Sequence, residues 1–226
     1  LDAEQGGLSK NSMGAVKVGL QTGNNRRFTQ QFWENEESRD WKPFAKGGAD
    51  AWLLPRIKLS VLWGDSGTEI KRTDSSRPQN TRYYFNESLT YTVAKTSGRR
   101  FGYLHDTSIF GVKGSVFIPD REIWTALSYT NSHLFTYLMI AQTVERNWKR
   151  KQVAKIPWHR SLESSEVIKE TAQEAVGKII SKRQFDFISP HYTGPILLSV
   201  LGVRESLTTH VNHPHRELRD KLALVE

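Results

Sequence analysis

The hydrophobic period of the chain changes within the segment VFIPDREIW, residues Val116–Trp124. Before this segment, short apolar runs alternate with clusters of Gly, Pro, Asn and Ser, which is typical of strands joined by turns. After it, apolar residues recur every three or four positions, beginning with Ile123, Trp124 and Leu127, and this spacing predicts helices. A β region followed by a helical region predicts an α+β fold, mostly antiparallel in its β part and helical towards its C-terminus.

Six short strands are expected between Pro55 and Pro119. They are Ile57–Trp63, Tyr83–Phe85, Leu89–Val93, Phe101–Leu104, Ile109–Val112 and Val116–Ile118. Upstream, Val16–Val18 predicts a further strand that ends in a Gly/Asn turn. Asn24 or Asn25 is expected to cap a short helix through Phe28, Phe32 and Trp33, and Asp65–Gly67 predicts a hairpin turn.

Four helices are expected in the second half of the chain. Asp120 opens the first, and the second follows Asn131. The segment Ser161–Arg183 has apolar residues at helical spacing with Glu and Lys between them, which predicts an amphipathic helix. A last helix is predicted at Arg216–Val225.

Composition limits the classes of partner. The formal net charge is +8, and a basic chain favours a polyanionic partner because phosphate backbones release counterions on binding. The absence of cysteine excludes disulfides and Cys-ligated metal sites and fits the cytosol. No apolar run approaches the roughly 20 residues of a membrane span, so we expect a cytoplasmic protein with no membrane partner. The start without Met indicates a fragment of a longer polypeptide.

Common catalytic patterns are missing from the sequence. It contains no phosphate-binding Gly-x-x-x-x-Gly-Lys loop, no Gly-x-Gly-x-x-Gly and no Gly-x-Ser-x-Gly elbow. The stretch Asp65–Lys71 carries Glu-x-Lys after an Asp, a pattern found in metal-dependent nucleases. Its carboxylates are too close in sequence to lie on two separate strands. A metal-dependent nuclease remains an alternative function, and cleavage of nucleic acid in the presence of a metal ion would identify it.

A histidine cluster near the C-terminus is the candidate metal site. Histidine is the commonest metal ligand in proteins, and His210, His213 and His215 lie close together in sequence. Pro214 breaks a helical spacing between them, and no nearby carboxylate is placed to orient their rings. We favour a polar surface loop here and predict no metal site.

Basic residues in loops are the better candidates for a binding role. Arg26 and Arg27 follow the Gly/Asn turn, where backbone N–H groups at a helix start favour a phosphate. Lys42 and Lys46 flank aromatic residues in a predicted loop whose glycines allow close approach of a ligand to the backbone. Arg, Lys, Asn and Gln are the side chains that contact base edges and phosphates of DNA. The candidate contacts are Asn24, Arg26, Arg27, Lys42, Lys46, Gly47, Gly48, Arg72, Arg77, Asn80, Arg82, Lys149, Arg150 and Lys151.

Seven motifs follow one another in the order found in one enzyme family. They lie at Gly19–Phe28 (GLQTGNNRRF), Trp41–Gly48 (WKPFAKGG), Leu62–Ile70, Arg77–Tyr91, Ile109–Gly114, Leu127–Ser132 and Val153–Pro157. The chain resembles the specificity region of large adenine-specific DNA methyltransferases of the BREX and DISARM phage-defence type (PglX-like), akin to fused type IIG enzymes. Asn24 stands where the family more often has Asp, and Gly111 also replaces an Asp.

The resemblance implies a division of labour within a longer protein. Residues 1–13 would be a linker, residues 14–160 a DNA target-recognition domain, and residues 161–226 a helical region that docks on the methyltransferase or on other phage-defence subunits. The family methylates adenine with S-adenosylmethionine through a Gly-bearing loop and an Asn-Pro-Pro-Tyr motif. Neither occurs in these 226 residues. We therefore expect no catalytic residue, metal or cofactor in this chain, and a methyltransferase domain N-terminal to it.

A second function class stays open at this stage. Trp33, Trp41, Trp52 and Trp124 could anchor a protein partner, which would make the chain a protein-interaction module of a defence complex that does not itself contact DNA. Binding to a partner without measurable DNA affinity would distinguish this alternative.

Overall fold

A computed structural model describes residues 14–35, 40–47, 52–94, 100–120, 122–143, 147–158, 162 and 165–195. The predicted linker (residues 1–13), the predicted last helix (Arg216–Val225), Gly48 and the histidine cluster lie outside these residues. The chain forms two compact units, Leu1–Ile179 and Ile180–Glu226.

Most strands precede residue 120 and the longer helices follow it, as the change of period predicts. The strands are β1 (Gly14–Lys17), β2 (Thr29–Gln31), β3 (Trp41–Ala45), β4 (Leu59–Leu62), β5 (Ser88–Tyr91), β6 (Phe101–Leu104), β7 (Ile109–Phe110) and β8 (Val116–Pro119). The helices are α1 (Asn25–Phe28), α2 (Thr68–Lys71), α3 (Ile123–Thr130), α4 (His133–Gln142), α5 (Arg150–Val153) and α6 (Glu166–Arg183). The α+β prediction is confirmed. No helix in the described ranges is long and apolar enough to cross a lipid bilayer.

The strands form two sheets. Sheet 1 has the order β1-β8-β5-β6, and all its neighbours are antiparallel. Sheet 2 has the order β2-β4-β3-β7, with antiparallel pairs except for β3 and β7, which are parallel. On the far side of β7, Leu20 forms a parallel bridge to Gly111. The segment before α1 therefore adds a single parallel β-bridge to the β7 edge of sheet 2.

A shared apolar core holds the two sheets together. Phe28 and Ile70 bring α1 and α2 onto sheet 2, and both side chains are fully buried. Leu104 and Val116 of sheet 1 belong to the same cluster. Tyr84 lies edge-on to neighbouring aromatic rings in this core. This packing fixes the positions of α1, α2 and the loops that follow them.

The structure corrects four local predictions. The short helix predicted through Phe28, Phe32 and Trp33 ends at Phe28, and Thr29–Gln31 forms strand β2. Tyr83–Phe85 is not a strand: a 3-10 helix at Thr81–Tyr83 is followed by a turn. Trp41–Ala45, predicted as part of a loop, is strand β3. Asp65–Gly67 does not join two strands of a hairpin. It forms a left-handed turn that leads directly into α2.

The outer edge of β6 is covered by backbone and side chain together. Leu53 N donates to Phe101 O at 2.9 Å, and Tyr103 N donates to Leu53 O at 2.8 Å. The buried side chain of Asn131 continues this pairing, since its Oδ1 accepts from Phe101 N and its Nδ2 donates to Phe101 O. Edge strands tend to pair with other chains unless they are covered, and here the chain covers its own edge.

Buried tyrosines predict a loss of stability at alkaline pH. Burial raises the pKa of Tyr84 and of Tyr91, so both stay neutral in the folded chain where an unfolded chain would ionise them, near pH 10. Their contribution is complete below that pH and is lost as pH rises above it. Urea unfolding between neutral pH and pH about 11 should show the free energy of unfolding falling steeply above pH 10 and less steeply in Tyr84→Phe. Equal slopes in the two proteins would contradict the assignment to Tyr84.

Candidate nucleic-acid interface

Two stretches that are far apart in sequence meet at the edge of sheet 2. Gln21 N donates to Arg77 O at 3.1 Å, and Arg77 N donates back to Gln21 O at 2.8 Å. Ser76 Oγ also donates to Gln21 O. A methyl group placed on Gly23 would lie 2.5 Å from Ser75 Oγ, so the two turns touch. The loop that carries the predicted arginines thus lies directly against the Gly/Asn turn.

Helix α1 is fixed beside this junction. Asn24 caps it, because its Oδ1 accepts a hydrogen bond from Arg27 N at 3.1 Å. The predicted capping role is confirmed for Asn24, although the helix ends at Phe28. Arg27 forms an ion pair with Glu69 of α2. Arg72 follows α2 directly and is exposed, as is Arg26.

Further along the loop that contains Arg77, two cationic side chains lie over one tyrosine ring. Asn80 has a left-handed backbone, and its Nδ2 donates to Val18 O at 2.9 Å. Lys17 Nζ lies 5.2 Å from the centre of the Tyr83 ring, and Arg82 Cζ lies 4.8 Å from it. Arg82 also donates to the Tyr83 hydroxyl at 2.9 Å.

These contacts define one surface, which we name the basic strip. It consists of Lys17, Arg26, Arg27, Arg72, Arg77 and Arg82. In the part of the chain that the structure describes, Arg27 is ion-paired and the other five have no carboxylate partner. Asp74 is an exposed carboxylate in the same loop. The strip therefore carries five positive charges outside ion pairs, with Asp74 as a nearby negative charge.

Lys46 lies at a neighbouring edge of sheet 2. Strands β3 and β7 and the bridge at Leu20 all run in the same direction, and carboxyl ends of parallel strands meet at one edge of a sheet. Lys46, the exposed Lys113 and the turn that begins after Gln21 follow these three carboxyl ends. Lys113 was not predicted, and neither was Lys17. Lys17 and Lys113 are each the single charged residue of a short apolar or glycine-containing segment. The sequence around them therefore contains no cluster of basic residues that would predict a binding role.

At Gly47, where a ligand was predicted to approach the backbone closely, another part of the chain lies in contact instead. Gly47 has φ +84°, and a Cβ there would lie 2.2 Å from Gly114 N and from Lys113 C. The neighbouring Gly114 would similarly meet Ala45 O at 2.4 Å. The close backbone approach for which glycine was expected is therefore a contact between β3 and the loop after β7.

Gly47→Ala is expected to lower the free energy of unfolding by about 2 kcal/mol or more, because the methyl group meets backbone atoms at a left-handed position. Urea unfolding measures the change. Gly177→Ala is the matched control: no atom lies within 4 Å of its added methyl group, and alanine in a helix interior should stabilise by about 0.5–1 kcal/mol. A Gly47→Ala protein as stable as the parent would contradict the contact with Gly114.

The remaining predicted contacts lie on other elements. Lys42 is half-buried in the middle of β3, opposite Val61. Lys149, Arg150 and Lys151 are exposed at the start of α5, which packs against β1 of sheet 1. The structure thus brings Asn24, Arg26, Arg27, Arg72, Arg77, Asn80 and Arg82 together, and it leaves Lys42 and the α5 residues outside this group.

One small apolar cavity lies in the described part of the chain. This cavity between sheet 1 and the helices, lined by Phe117, Tyr129, Phe135 and Trp158, has a volume of about 20 Å³ and an apolar wall. That volume holds about one water molecule. Within the described ranges no three His, Asp or Glu side chains are grouped as metal ligands.

The sequence matches no protein-family model, and no curated protein is significantly similar to it.

Proposed function

We propose that this chain binds double-stranded DNA through the basic strip and recognises a target sequence for an adenine-specific DNA methyltransferase of the phage-defence kind that its motifs resemble. The observation that carries the proposal is the junction at Gln21 and Arg77. It brings the first motif, Gly19–Phe28, directly against the fourth, Arg77–Tyr91, so that the turns carrying their arginines are neighbours.

The geometry of the strip suits a phosphate backbone. Arginines on short turns present guanidinium groups that bind phosphates and the acceptor pair of guanine bidentately. Asn24 and Asn80 are engaged in capping and in the bond to Val18, so we assign them turn-forming roles. Arg26, Arg72 and Arg77 remain the candidates for direct contact.

In this proposal, methyl transfer takes place in a different part of a longer protein. A methyltransferase domain N-terminal to this chain would supply S-adenosylmethionine and transfer the methyl group in the cytoplasm. The helical region beyond residue 160 would dock on that domain or on other phage-defence subunits. The chain itself would contribute affinity and sequence choice.

Duplex binding and its salt dependence test the proposal. The 226-residue chain should bind labelled duplex DNA, with log K falling linearly with log salt, and about one unit of slope per phosphate contact. Selection from a pool of random duplexes should converge on one short site, bound at least about 1000-fold more tightly than the pool. No duplex binding would contradict DNA recognition, and equal affinity for all sequences would contradict target recognition.

Exposed aromatic residues favour protein interaction as a second candidate. Trp33 and Trp52 are 51% and 44% exposed, whereas Trp41 and Trp124 are half-buried. Large exposed aromatics are typical anchors of protein interfaces. A partner that binds the parent chain but not Trp33→Ser, together with no affinity for any duplex, would favour this function.

A further inference from the structure

Phe85 combines an unusual backbone with an exposed aromatic ring. Its φ is +61°, in the left-handed region that residues with a Cβ rarely adopt. Its side chain is 38% exposed. A bulky residue at such a position is an outlier, and strain of this kind persists where the surrounding structure imposes it and is concentrated at functional sites.

Buried neighbours hold this backbone in place. The preceding ring, Tyr84, lies 5.3 Å from Trp63 and 5.2 Å from Phe110, edge-on to both. Phe85 N donates to Ser108 O at 3.2 Å. The ring of Phe85 is therefore carried by a segment that is anchored both in the core and on the residue before β7.

Two cations of the basic strip, Lys17 of β1 and Arg82, contact the same segment. Lys17 and Arg82 both lie over the ring of Tyr83, two residues before Phe85. Asn86 Nδ2 donates to Arg82 O at 3.3 Å, which closes the turn around Phe85. Two positive charges on one ring repel each other, and an anion between them removes that repulsion. A phosphate group fits this chemistry.

We propose that Phe85 inserts as a wedge at a base step of bound duplex DNA, while Lys17 and Arg82 hold the flanking phosphate. The inference rests on the proposed DNA binding and names the residue that deforms the duplex. Apolar side chains inserted in this way unstack a base step and kink the helix. The unstacking costs free energy, and the cost is smallest where a base is already missing or unpaired.

The test compares two short fluorescein-labelled duplexes of the same sequence, one intact and one with a central abasic site. Anisotropy titration with the full chain should show about tenfold tighter binding to the abasic duplex, because less stacking has to be broken there. Phe85→Gly should lose this preference and keep the salt slope on the intact duplex. Glycine adopts φ +61° without strain, so the variant is expected to fold, which a thermal melt checks.

Three further variants separate the roles. Phe85→Tyr keeps the ring and should keep the preference for the abasic duplex. Phe187→Gly removes a phenylalanine that is 77% exposed and lies outside the strip, and it should keep the preference as well. Lys17→Gln should reduce the salt slope by about one on both duplexes without abolishing the preference.

The outcomes distinguish this inference from the function on which it rests. Equal binding of both duplexes by the parent chain, or a preference that survives in Phe85→Gly, overturns the wedge and leaves DNA binding intact. No binding to either duplex overturns both proposals.

Discussion

Reversing the charge of Arg26 and Arg77 together is expected to weaken duplex binding by about 100-fold at moderate salt and to lower the salt slope by about two. Both side chains are exposed, and in the described part of the chain neither has a carboxylate partner. Each reversal removes one attraction to phosphate and adds one repulsion. Fluorescence anisotropy of Arg26→Glu/Arg77→Glu against a labelled duplex over a range of salt concentrations measures both quantities.

The matched control changes the net charge by the same amount on helix α6. Lys178 and Lys182 are exposed there, and Lys178 is paired with Glu174 at 2.5 Å. Lys178→Glu/Lys182→Glu should change affinity by no more than a few-fold. Equal losses in the two double variants would show that overall charge, and not the basic strip, determines binding.

Replacing Asn131 with alanine is expected to lower the free energy of unfolding by about 3 kcal/mol. The side chain is buried and makes three hydrogen bonds, one from Phe101 N and two from its Nδ2, to Phe101 O and to Leu127 O at 2.9 Å. Alanine leaves the buried Phe101 N–H without this acceptor, which costs about 1–3 kcal/mol for one such group. The two lost donor bonds and the small cavity add to that cost.

Urea unfolding followed by circular dichroism measures the change. Asn86→Ala is the control, since Asn86 is exposed and makes a single bond to Arg82 O at 3.3 Å. Its loss should cost at most about 0.5 kcal/mol. If both variants unfold at the same urea concentration, Asn131 does not hold the edge of β6 as described.

Local patterns predicted the three longer helices, α3, α4 and α6, and most strands, because apolar spacing and caps act over a few residues. Apolar spacing identifies α3 and α4, and Ser132 caps the second of them by accepting from Phe135 N. The helix predicted from Ser161 is observed from Glu166 to Arg183. Propensity failed at Tyr83–Phe85, where the left-handed residue Asn80 begins a tight turn. Aromatic side chains favour strands only when a neighbouring strand is available.

Strand β3 was not predicted because proline and glycine are more common in loops than in strands. Pro43 lies opposite Ser60 of β4, and the pairing with β7 begins only at Phe44. On the β7 side no ladder bond requires the missing N–H of Pro43. The sequence could not show this, because it depends on where two distant strands start to pair.

Most residues of the candidate site could be predicted from the sequence, but their proximity to one another could not. Arg26, Arg77 and Arg82 were identified from their residue types and their position in turns. Their arrangement depends on the bridge between Gln21 and Arg77, which are remote in sequence and carry no local sign of pairing. The same reasoning explains why Lys17 was missed: its role depends on Tyr83, a residue of another loop.

The position of the basic strip has a consequence for how such a protein can diversify. Arg26, Arg72, Arg77 and Arg82 are exposed on short helices and turns, while the apolar core lies behind them. Substitutions at exposed positions usually change stability by less than about 0.5 kcal/mol. A lineage carrying this scaffold could therefore exchange its surface residues one at a time and acquire new preferences without passing through misfolded ancestors.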